Sequence, residues 1–466
     1  MHRTQRLRDP VHGLITFSKD NPIDALAWSL IDTPEFGRLR RIKQLGVSEF
    51  VYPGATHTRF IHSIGVFHIA RQLIKIVERE IAAIDQEYDK DKAAVAVIAA
   101  LLHDVGHGPF SHTFEGVQAD RNVKKKHEEW SAEIIVAPKG HIRKLLEDHK
   151  VGFSDEVAAL LRRKNPEDVY DAVVSSSFDA DRLDYLRRDK MMTGTGAGAI
   201  DFDWLLEHVR VRKINLDAPD GTGGEDTDKV PTFCIDIKAL PAAEQFLLAR
   251  FTLHDQVYFH KTTRCVEKMI EALLMEVAEV AVNCSESEDQ AEVRSKTKEL
   301  TGLDFNHPII KFFVDKAPTT ADYLELDDVV LFGSLERLTH GTNLVISKLA
   351  KRLKNRRLYK TLDCRTFDQD LEWQAVGVKK IDKHLSANKF GMSVIKDDSA
   401  KLTIYTHVGG DDEKAHKKLR ILEADGKTPE ITKFKGIVAS LPELRLTRYY
   451  FEDEVDREEA KALGRR

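Results

Sequence analysis

Cysteine is scarce in this chain of 466 residues, and its spacing carries no recognisable motif. The four cysteines, Cys234, Cys265, Cys284 and Cys364, are scattered, and no two of them form a CxxC pair. The spacing therefore indicates neither a zinc knuckle nor a disulfide framework. A reducing compartment is the simplest interpretation, and we predict a cytoplasmic location.

Long apolar runs are also missing. The longest, residues 93–102, is far shorter than the roughly 20 residues that a membrane-spanning helix needs. The first six residues lead into polar sequence and lack the apolar core of a signal peptide. We therefore expect no membrane partner.

A strong excess of charge of either sign is absent as well. The chain has 71 Lys and Arg against 76 Asp and Glu, a net charge of −5 with neutral histidines. This balance gives no overall attraction to nucleic acid, which is not favoured as a partner, although it does not exclude a local basic groove. Hydrophobic residues make up 42% and charged residues 32%. With this length, the composition favours two packed units.

Helical periodicity dominates the first 210 residues. Apolar residues recur at helical spacing over residues 64–84 and 91–105, and the second segment is apolar almost all round, so we expect it in the interior. Asp32-Thr33-Pro34-Glu35 has the cap, proline and acid of a helix start. Further helices are predicted over residues 127–136, 154–163, 179–191 and 241–282.

Strand-like alternation occurs over residues 209–215 and 232–237, on either side of a Gly- and Asp-rich stretch. This pattern predicts a β-hairpin with a long loop over residues 217–229. Residues 285–301 are highly charged and predict a surface helix or a linker. Residues 305–466 mix helical segments with strand-like pieces at 401–408 and 433–438.

The predicted fold is therefore mainly α, with an all-helical core, a small β-hairpin insertion and a mixed α+β C-terminal region. We place a catalytic domain at residues 1–285. We assign residues 286–466 to a C-terminal region for oligomerisation or regulation.

The residues best suited to chemistry lie where the predicted interior helix ends. His103-Asp104 close it, and His107, His112 and Glu115 follow in a glycine-containing stretch. Unpaired ionisable groups are costly to bury. A divalent metal is the natural partner, because imidazole and carboxylate together suit transition metals, Mg²⁺ and Mn²⁺. An isolated His-Asp pair is more often a capped helix end with hydrogen-bonded histidines.

Three further pieces accompany this pair. His57-Thr58-Arg59-Phe60-Ile61-His62 opens the preceding helix, and His127-Glu128 follows a run of three lysines. In residues 179–189, the spacing places Asp181, Asp184, Tyr185 and Arg188 on one helix face. A salt-bridged surface helix would show the same spacing.

In order, these pieces resemble the HD superfamily of metal-dependent phosphohydrolases, and more narrowly the deoxynucleoside triphosphate (dNTP) triphosphohydrolases. The similarity begins at residues 8–13, continues through 31–36 and 42–46, and runs to about residue 261. It implies a divalent metal, which the sequence leaves open among Fe, Mn, Mg, Zn and Ni. The ligands that it implies are His62, His103, Asp104 and Asp181.

The resemblance also implies the residues that act on a substrate. The implied catalytic residues are His107, His112, His127 and Glu115, the last in place of Asp in the related vertebrate enzyme. The positions that match triphosphate binding are Arg59, Arg182, Tyr185, Arg250 and His254. Those that match the sugar pocket are Gln44, Leu45, Asp189 and Tyr258.

The implied reaction is attack of water on the α-phosphorus, with His112 protonating the leaving 5′-oxygen. It would yield deoxynucleoside and inorganic triphosphate. Leu45 and Tyr258 beneath C2′ would exclude a ribose hydroxyl. Each also has a simpler explanation, since Leu45 would suit the core and Tyr258 helix packing.

Related enzymes are often tetramers activated by nucleotides, so we expect a homo-oligomer, dimer or tetramer, and a nucleotide activator. The positions that match regulatory nucleotide sites are Asp32, Arg40, Val51, Lys238, His260 and Lys261. The departures from the family pattern are Arg8, Gly37, Leu206 and Asp236. They imply an altered first site and a weakened second one, and Asp32 is explained equally well as a helix cap.

Three functions are compatible with these residues. The first is a dNTP triphosphohydrolase. The second is an HD phosphohydrolase for another nucleotide, a cyclic nucleotide or an oligonucleotide, which Glu115 and Phe259, in place of a polar Gln, would suit. The third is a nucleotide- or nucleic-acid-binding protein, suggested by the basic run at residues 351–357. The complete set of metal ligands argues against this third function.

Overall fold

Helices account for most of the computed structural model, as the sequence predicts. The structure describes residues 4–196, 200–215, 229–367, 371–387, 393–402, 418–441 and 444–465. The α-helices are α1 (Pro22–Ile31), α2 (Pro34–Gly37), α3 (Arg59–Glu80), α4 (Lys90–Leu102), α5 (His112–Asp120), α6 (His127–Ile135), α7 (His141–His149), α8 (Phe153–Arg162), α9 (Val169–Ala172), α10 (Ala180–Thr193), α11 (Phe202–Glu207), α12 (Leu240–Leu253), α13 (Lys261–Ser285), α14 (Gln290–Thr301), α15 (Pro308–Val314), α16 (Thr320–Leu324), α17 (Asp328–Leu338), α18 (Leu344–Lys354), α19 (Leu371–Ser386) and α20 (Glu454–Gly464).

The strands form three small sheets within the described ranges. They are β1 (Thr4–Asp9), β2 (Gly13–Ser18), β3 (Val209–Asn215), β4 (Lys229–Asp236), β5 (Lys360–Asp363), β6 (Val394–Leu402), β7 (Ile421–Leu422) and β8 (Leu444–Phe451). The hairpin β1-β2 stands alone, β7 joins the predicted hairpin as β3-β4-β7, and the third sheet has the order β5-β8-β6. The mixed α+β character of the C-terminal region is thus confirmed. The predicted hairpin loop at 217–229 lies outside the described residues except for Lys229.

The α4 helix lies in the core, as predicted. Its segment Val95 to Leu102 is buried throughout. Asp89 caps the helix by accepting hydrogen bonds from the backbone N–H groups of Asp91 and Lys92. The helix ends at Leu102, three residues earlier than predicted, so that His103 and Asp104 begin the turn beyond it. Burial of the whole helix brings this polar turn into the interior.

The α10 helix packs closely against α3 at Gly65. A Cβ atom at this position would overlap the Asp184 carboxylate and the Arg188 guanidinium of α10. Both groups are fully buried and bonded to each other. The glycine therefore allows two helices that carry charged groups to approach within contact distance.

The structure corrects three predictions about local structure. The helix predicted over 241–282 is interrupted: α12 ends at Leu253, His254–Tyr258 form a π-helical turn, and α13 starts at Lys261. The segment 433–438 is not a strand: Lys433 ends one 3₁₀ turn, Val438 begins another, and the residues between them form bends. The N–H groups of Lys433 and Phe434 bond locally to the carbonyls of residues 430 and 431. Of the predicted strand 401–408, only Lys401 and Leu402 are described, at the end of β6.

The predicted helix start at residues 32–35 is present, but Asp32 is not its N-cap. The Thr33 hydroxyl accepts the hydrogen bond from the Phe36 N–H, whereas Asp32 ends α1. Interpreting Asp32 as an N-cap was therefore wrong. The helix itself is short, since α2 passes into a 3₁₀ turn at Arg38–Arg41.

The hydrophobic core continues from the first sheet into the C-terminal region. One cluster of buried side chains runs from Ile15 and Phe17 to Tyr450 and includes members of α13, α15, α17 and α18. A smaller cluster lies around Leu362 and Phe451. All four cysteines are buried free thiols. The domain boundary at residue 285 stays a prediction.

One helical stretch in the described part of the chain, Arg59–Ile84, is long and apolar enough to cross a membrane. However, 72% of its most apolar window is buried inside the protein. A core helix has the same composition, and this stretch includes α3 at the centre of the fold.

Replacing Gly65 with alanine should destabilise the protein by about 1–3 kcal/mol, because the new methyl group meets groups that cannot move aside. Gly37→Ala is the matched control, since a Cβ atom there has no neighbour within 4 Å. The midpoints of urea unfolding of the two variants measure the difference. Equal midpoints would contradict the close approach of α3 and α10.

Candidate active site

Two histidines and two carboxylates converge at the end of α4. His62 comes from α3, His103 and Asp104 from the turn after α4, and Asp181 from the first turn of α10. His62 Nε2 lies 3.1 Å from Asp181 Oδ1 and 3.7 Å from Asp104 Oδ2, and His103 Nε2 lies 3.1 Å from Asp104 Oδ1 and 3.8 Å from Asp181 Oδ1. Ligands of one divalent metal stand about 3.0–3.5 Å apart. Donor atoms of His62, His103 and Asp104 lie within 4.8 Å of one another and could hold one metal ion, and Asp181 lies beside His62.

The ring orientation of both histidines supports this assignment. His62 Nδ1 bonds to Asp184 Oδ2 at 2.8 Å, and His103 Nδ1 bonds to the carbonyl of Ala100 at 2.9 Å. Each Nε2 atom is buried without a hydrogen-bond partner and faces the carboxylates. Metal-binding histidines characteristically donate their other N–H in this way. The residues present therefore fit a divalent metal, as expected from the sequence.

A chain of buried ion pairs holds His62 in place. Arg188 donates two hydrogen bonds to Asp184, each 2.8 Å long, and a third to Asp9 Oδ2 at 2.8 Å. His12 Nε2 lies 2.5 Å from the other oxygen of Asp184. Because both oxygens are occupied, Asp184 acts on His62 rather than on a metal. The sequence analysis placed Asp184 and Arg188 beside Asp181 but gave neither of them, nor His12 and Asp9, a role.

The charges at this cluster favour a cation. Burial lowers the pKa of His62, but its contacts with Asp181 and Asp184 outweigh burial and raise it to about 10. Burial raises the pKa of Asp104, yet Arg59 and the adjacent histidines leave it well below its usual range. Without a metal, a proton on His62 therefore balances part of the negative charge of the carboxylates.

The four predicted catalytic residues form a second cluster beside the first. The rings of His107 and His127 stack with centroids 3.8 Å apart, and His107 Nε2 lies 3.2 Å from Asp104 Oδ1. Glu115 bonds to His112 Nδ1 at 2.9 Å and to His127 Nδ1 at 2.6 Å. The extra methylene of Glu115 thus does not prevent one carboxylate from holding both rings.

Neighbouring histidines in this cluster differ in their proton affinity. Burial, Arg59 and His127 lower the pKa of His107 well below its usual range, which keeps this ring neutral. Burial also lowers the pKa of His127, but the hydrogen bond to Glu115 raises it overall. Burial opposes ionisation of Glu115, yet both histidines lower its pKa strongly. Such divergence is typical of groups that exchange protons with a substrate.

The backbone before α5 is unusual. Phe110 and Ser111 adopt left-handed conformations, with φ of 52° and 54°. Non-glycine residues rarely do so, and each costs of order 1–3 kcal/mol unless its surroundings enforce the conformation. Arg59 Nε donates a hydrogen bond to the Ser111 hydroxyl at 2.9 Å. This strained turn directs His112 toward Glu115 at the mouth of the cluster.

The predicted triphosphate residues surround Asp181. Arg59 Nη1 donates a hydrogen bond to Asp104 at 2.5 Å, and Arg182 pairs with Asp179. The Nε atoms of Arg182 and Arg250 are buried without a hydrogen-bond partner. The electrostatic influence of Arg182 and Arg250 extends to Tyr185 and to His254. Arg182 and Arg250 therefore lie near Tyr185 and His254, while Arg59 contacts Asp104.

Of the predicted sugar residues, Asp189 lies farther along α10. Asp189 accepts hydrogen bonds from the Tyr258 hydroxyl at 2.7 Å and from His57 Nε2 at 2.8 Å. The Gln44 N–H donates to the His57 carbonyl, and its side-chain oxygen is buried without a partner. Leu45 is half-buried and packs on the core. His57, which bonds to Asp189, belongs to the motif that opens α3 but was given no role, because nothing in its spacing links it to Asp189, 132 residues away.

The segment His254–Tyr258 forms a π-helical turn, and the rings of its first and last residues lie together on the side of the predicted substrate residues. His254 and Tyr258 contact each other edge-on, with centroids 4.7 Å apart. The Phe259 N–H donates to the carbonyl of His254, five residues earlier, at 2.8 Å, which is the hydrogen bond of a π-helix. Tyr52 and Arg448 secure the turn through the carbonyls of Gln256 and Phe259. Helical periodicity alone could not reveal this irregularity.

The predicted regulatory residues lie outside these clusters. Arg40 is exposed, with its guanidinium 3.4 Å from the centre of the Phe60 ring, and lines a cavity of about 740 Å³ with Arg41, Lys43 and Lys354. Asp32, Lys238 and Lys261 are exposed and Val51 is half-buried. His260 contacts Tyr52, the neighbour of Val51, edge-on. Their roles stay predictions.

Comparison with known protein families agrees with the resemblance. Residues 59–189 match the family model of the HD domain, and residues 229–295 match that of the HD-associated region. The chain therefore contains an HD domain, the domain of the metal-dependent phosphohydrolases, and the His/Asp cluster described above lies within it.

Several individual proteins are similar to this chain. The uncharacterised protein YwfO of Bacillus subtilis is 29% identical over 452 residues, which cover 96% of this chain and 92% of YwfO. The SAMHD1 homologue of Dictyostelium discoideum, a deoxynucleoside triphosphate triphosphohydrolase by name, is 29% identical over 302 residues, 61% of this chain. The match spans 52% of that relative and 46% of bovine SAMHD1, about half of the length of each.

Solved structures agree with the fold. A phosphohydrolase of Bacteroides thetaiotaomicron superimposes with a TM-score of 0.68 at 25% identity, covering 96% of this chain and all of the other. A hypothetical protein of Aquifex aeolicus gives the same score at 24% identity, over 99% of this chain and all of the other. The first of these proteins is a phosphohydrolase by name, and the second shows the fold alone.

His103→Ala should remove the bound metal from the purified protein, because it deletes one of two buried nitrogen donors. His340→Ala is the control, since that histidine is exposed and pairs only with Glu336 among the described residues. Metal content per chain, measured by mass spectrometry after dialysis, compares the variants. Equal metal content in the two variants would contradict this ligand set.

His254 should make the protein less stable in mild acid. Burial, Arg250 and Arg182 lower its pKa to about 4, whereas the unfolded chain binds this proton near pH 6.5. Stability is therefore lost as the pH falls from 6.5 to 4, by roughly 2 kcal/mol at pH 5. Unfolding of His254→Gln should depend less on pH in this window than unfolding of the wild type or His340→Gln. Parallel curves would exclude this role.

Proposed function

We propose that this protein is a metal-dependent dNTP triphosphohydrolase, which converts a dNTP to deoxynucleoside and inorganic triphosphate. The observation that carries the proposal is the order of groups along α10. Asp181, Tyr185 and Asp189 recur every four residues, so they follow one face over about 12 Å. That distance is comparable with the reach of a nucleotide from its phosphates through its sugar.

The metal-binding end of this face suits phosphoryl chemistry. A divalent metal held by His62, His103, Asp104 and Asp181 would supply Lewis acidity and an activated water. Arg59 keeps the Asp104 carboxylate in place, and Arg182 and Arg250 offer positive charge to the phosphates. His254 donates Nδ1–H to the Arg250 carbonyl at 2.9 Å. Its Nε2 is then available to take up a proton when a phosphate approaches.

His112 is placed to protonate the leaving 5′-oxygen. Its side chain is 73% exposed, and Nδ1 is fixed by Glu115, so Nε2 is available for a substrate. Glu115 also fixes the orientation of the ring, as an orienting carboxylate does in other acid–base pairs. His127 shares Glu115 and stacks on His107, which completes the group that can hold protons beside the scissile bond.

The opposite end of the face suits a deoxyribose. Asp189 is fixed by His57 and Tyr258 and can accept a hydrogen bond from a 3′-hydroxyl. Leu45 and the Tyr258 ring would close the space beneath C2′. A site built in this way rejects an additional hydroxyl chiefly by size.

We also propose a cytoplasmic homo-oligomer with a nucleotide activator near the Arg40 cavity.

Incubation with each dNTP and Mg²⁺, Mn²⁺, Fe²⁺, Zn²⁺ or Ni²⁺ tests the proposal, with products separated by chromatography. We expect deoxynucleoside and inorganic triphosphate in equal amounts, with and without added GTP or dGTP. Asp104→Ala should abolish turnover, and His340→Ala should retain it. Intact dNTPs with cleavage of a phosphodiester panel would favour the second candidate function, and no turnover under any condition would contradict both.

A further inference from the structure

The active-site turn is held by a carboxylate that lies far from it in sequence. Asp328, at the start of α17, accepts a hydrogen bond from the Phe110 N–H at 2.7 Å and another from the Lys43 N–H at 2.9 Å. The two bonds use different oxygens of one carboxylate, which is 2% exposed. The side chain of Asp328 therefore links the start of α17 to two segments that lie far from it in sequence.

Each segment carries groups of the proposed active site. Phe110 begins the left-handed turn that leads to His112. Lys43 precedes Gln44 and Leu45, and its backbone pairs with Thr58, next to Arg59. We propose that Asp328 is a positioning residue, which fixes the His112 turn relative to the Gln44–Leu45 segment; this role in catalysis rests on the proposed function.

The neighbouring residue shows that Asp328 is not needed to cap its own helix. Asp327 is the N-cap of α17, where its side chain accepts the Val330 N–H at 3.0 Å. Asp327 also pairs with Arg41 at the surface. The hydrogen bonds of the Asp328 carboxylate go instead to Phe110 and Lys43. Helix formation alone therefore does not explain why this acid is buried.

The turn itself requires support from outside. Phe110 and Ser111 occupy backbone conformations that other residues must enforce. Helix α17 supplies a second contact, since the Phe332 ring meets Phe110 edge-on at 4.9 Å. From the other side, Arg59 bonds to Ser111. Together these contacts leave the turn little freedom. Phe332 also lies near the Lys43 side chain, with Nζ 5.7 Å from the ring centre, but Asp328 accepts hydrogen bonds from the backbone of both segments.

The ionisation of Asp328 agrees with this arrangement. Burial raises its pKa to about 6, while the amides of Lys43 and Phe110 and the charges of Lys43 and Arg59 act in the opposite direction. Arg38 is also within electrostatic reach. Two accepted hydrogen bonds thus offset much of the cost of burying the charge.

Asp328→Asn tests the proposal, with Asp327→Asn as the matched control. Asparagine keeps one acceptor oxygen but presents N–H groups where the second oxygen was, so it can hold only one of the two amides. We expect kcat to fall on the order of 10–100-fold, because the His112 turn and the Gln44–Leu45 segment lose their fixed relation to each other. Asp327→Asn should lose the Arg41 ion pair and keep kcat.

Hydrogen exchange gives a readout that does not depend on activity. In Asp328→Asn, amide exchange should accelerate in peptides that cover residues 43–45 and 106–112, with no such change in Asp327→Asn. Unchanged exchange there, or equal losses of kcat in both variants, would overturn the proposal. Absence of turnover in the wild type would contradict only the proposed function, since the exchange data still decide whether Asp328 holds the turn.

If Asp328→Asn does not fold, hydrogen exchange in the wild-type protein tests the proposal instead. The Phe110 and Lys43 amides should then both exchange slowly, because both donate to the one buried Asp328 carboxylate. Rapid exchange at Phe110 alongside a protected α17 would overturn the proposal.

Discussion

The structure depends on the burial of carboxylates and imidazoles where α4 ends. Apolar burial draws this helix into the core, and the turn that follows has no route back to solvent before His103 and Asp104. Two imidazole nitrogens without hydrogen-bond partners and two carboxylates then share a space a few ångströms wide. Such a group is costly unless a cation joins it. The divalent metal of HD domains therefore affects the stability of the fold as well as the chemistry.

The surrounding network distributes that cost over several elements. Asp184 orients His62, Arg188 neutralises Asp184, and Asp9 and His12 from the first hairpin complete the chain. Ion pairs of this kind contribute little net stability when compared with an apolar core of the same shape. Their effect is on geometry, since each fixes the rotamer of the next. The N-terminal hairpin is tied to the active site through them.

The C-terminal region also takes part in the site. The Tyr323 hydroxyl donates to the Gly106 carbonyl at 2.8 Å, and the ring stacks on Trp130 of α6. Arg38 bonds to the Leu326 carbonyl, and Asp328 joins two active-site segments. Residues beyond 285 therefore contact the turn that carries the predicted catalytic histidines. Changes in the packing of α16 and α17 would therefore alter this turn, whatever role the C-terminal region has in assembly.

The sequence by itself determined the interior helix and the mainly helical fold, because these follow from apolar periodicity. It placed His103 and Asp104 together at the end of that helix, while the full set of metal ligands came from the family resemblance and stays a prediction. Only the tertiary structure decided which groups support them. Asp184, His57 and Asp328 act across 122, 132 and 218 residues of chain. The π-helical turn likewise arises from packing against Tyr52 and Arg448, which no local spacing encodes.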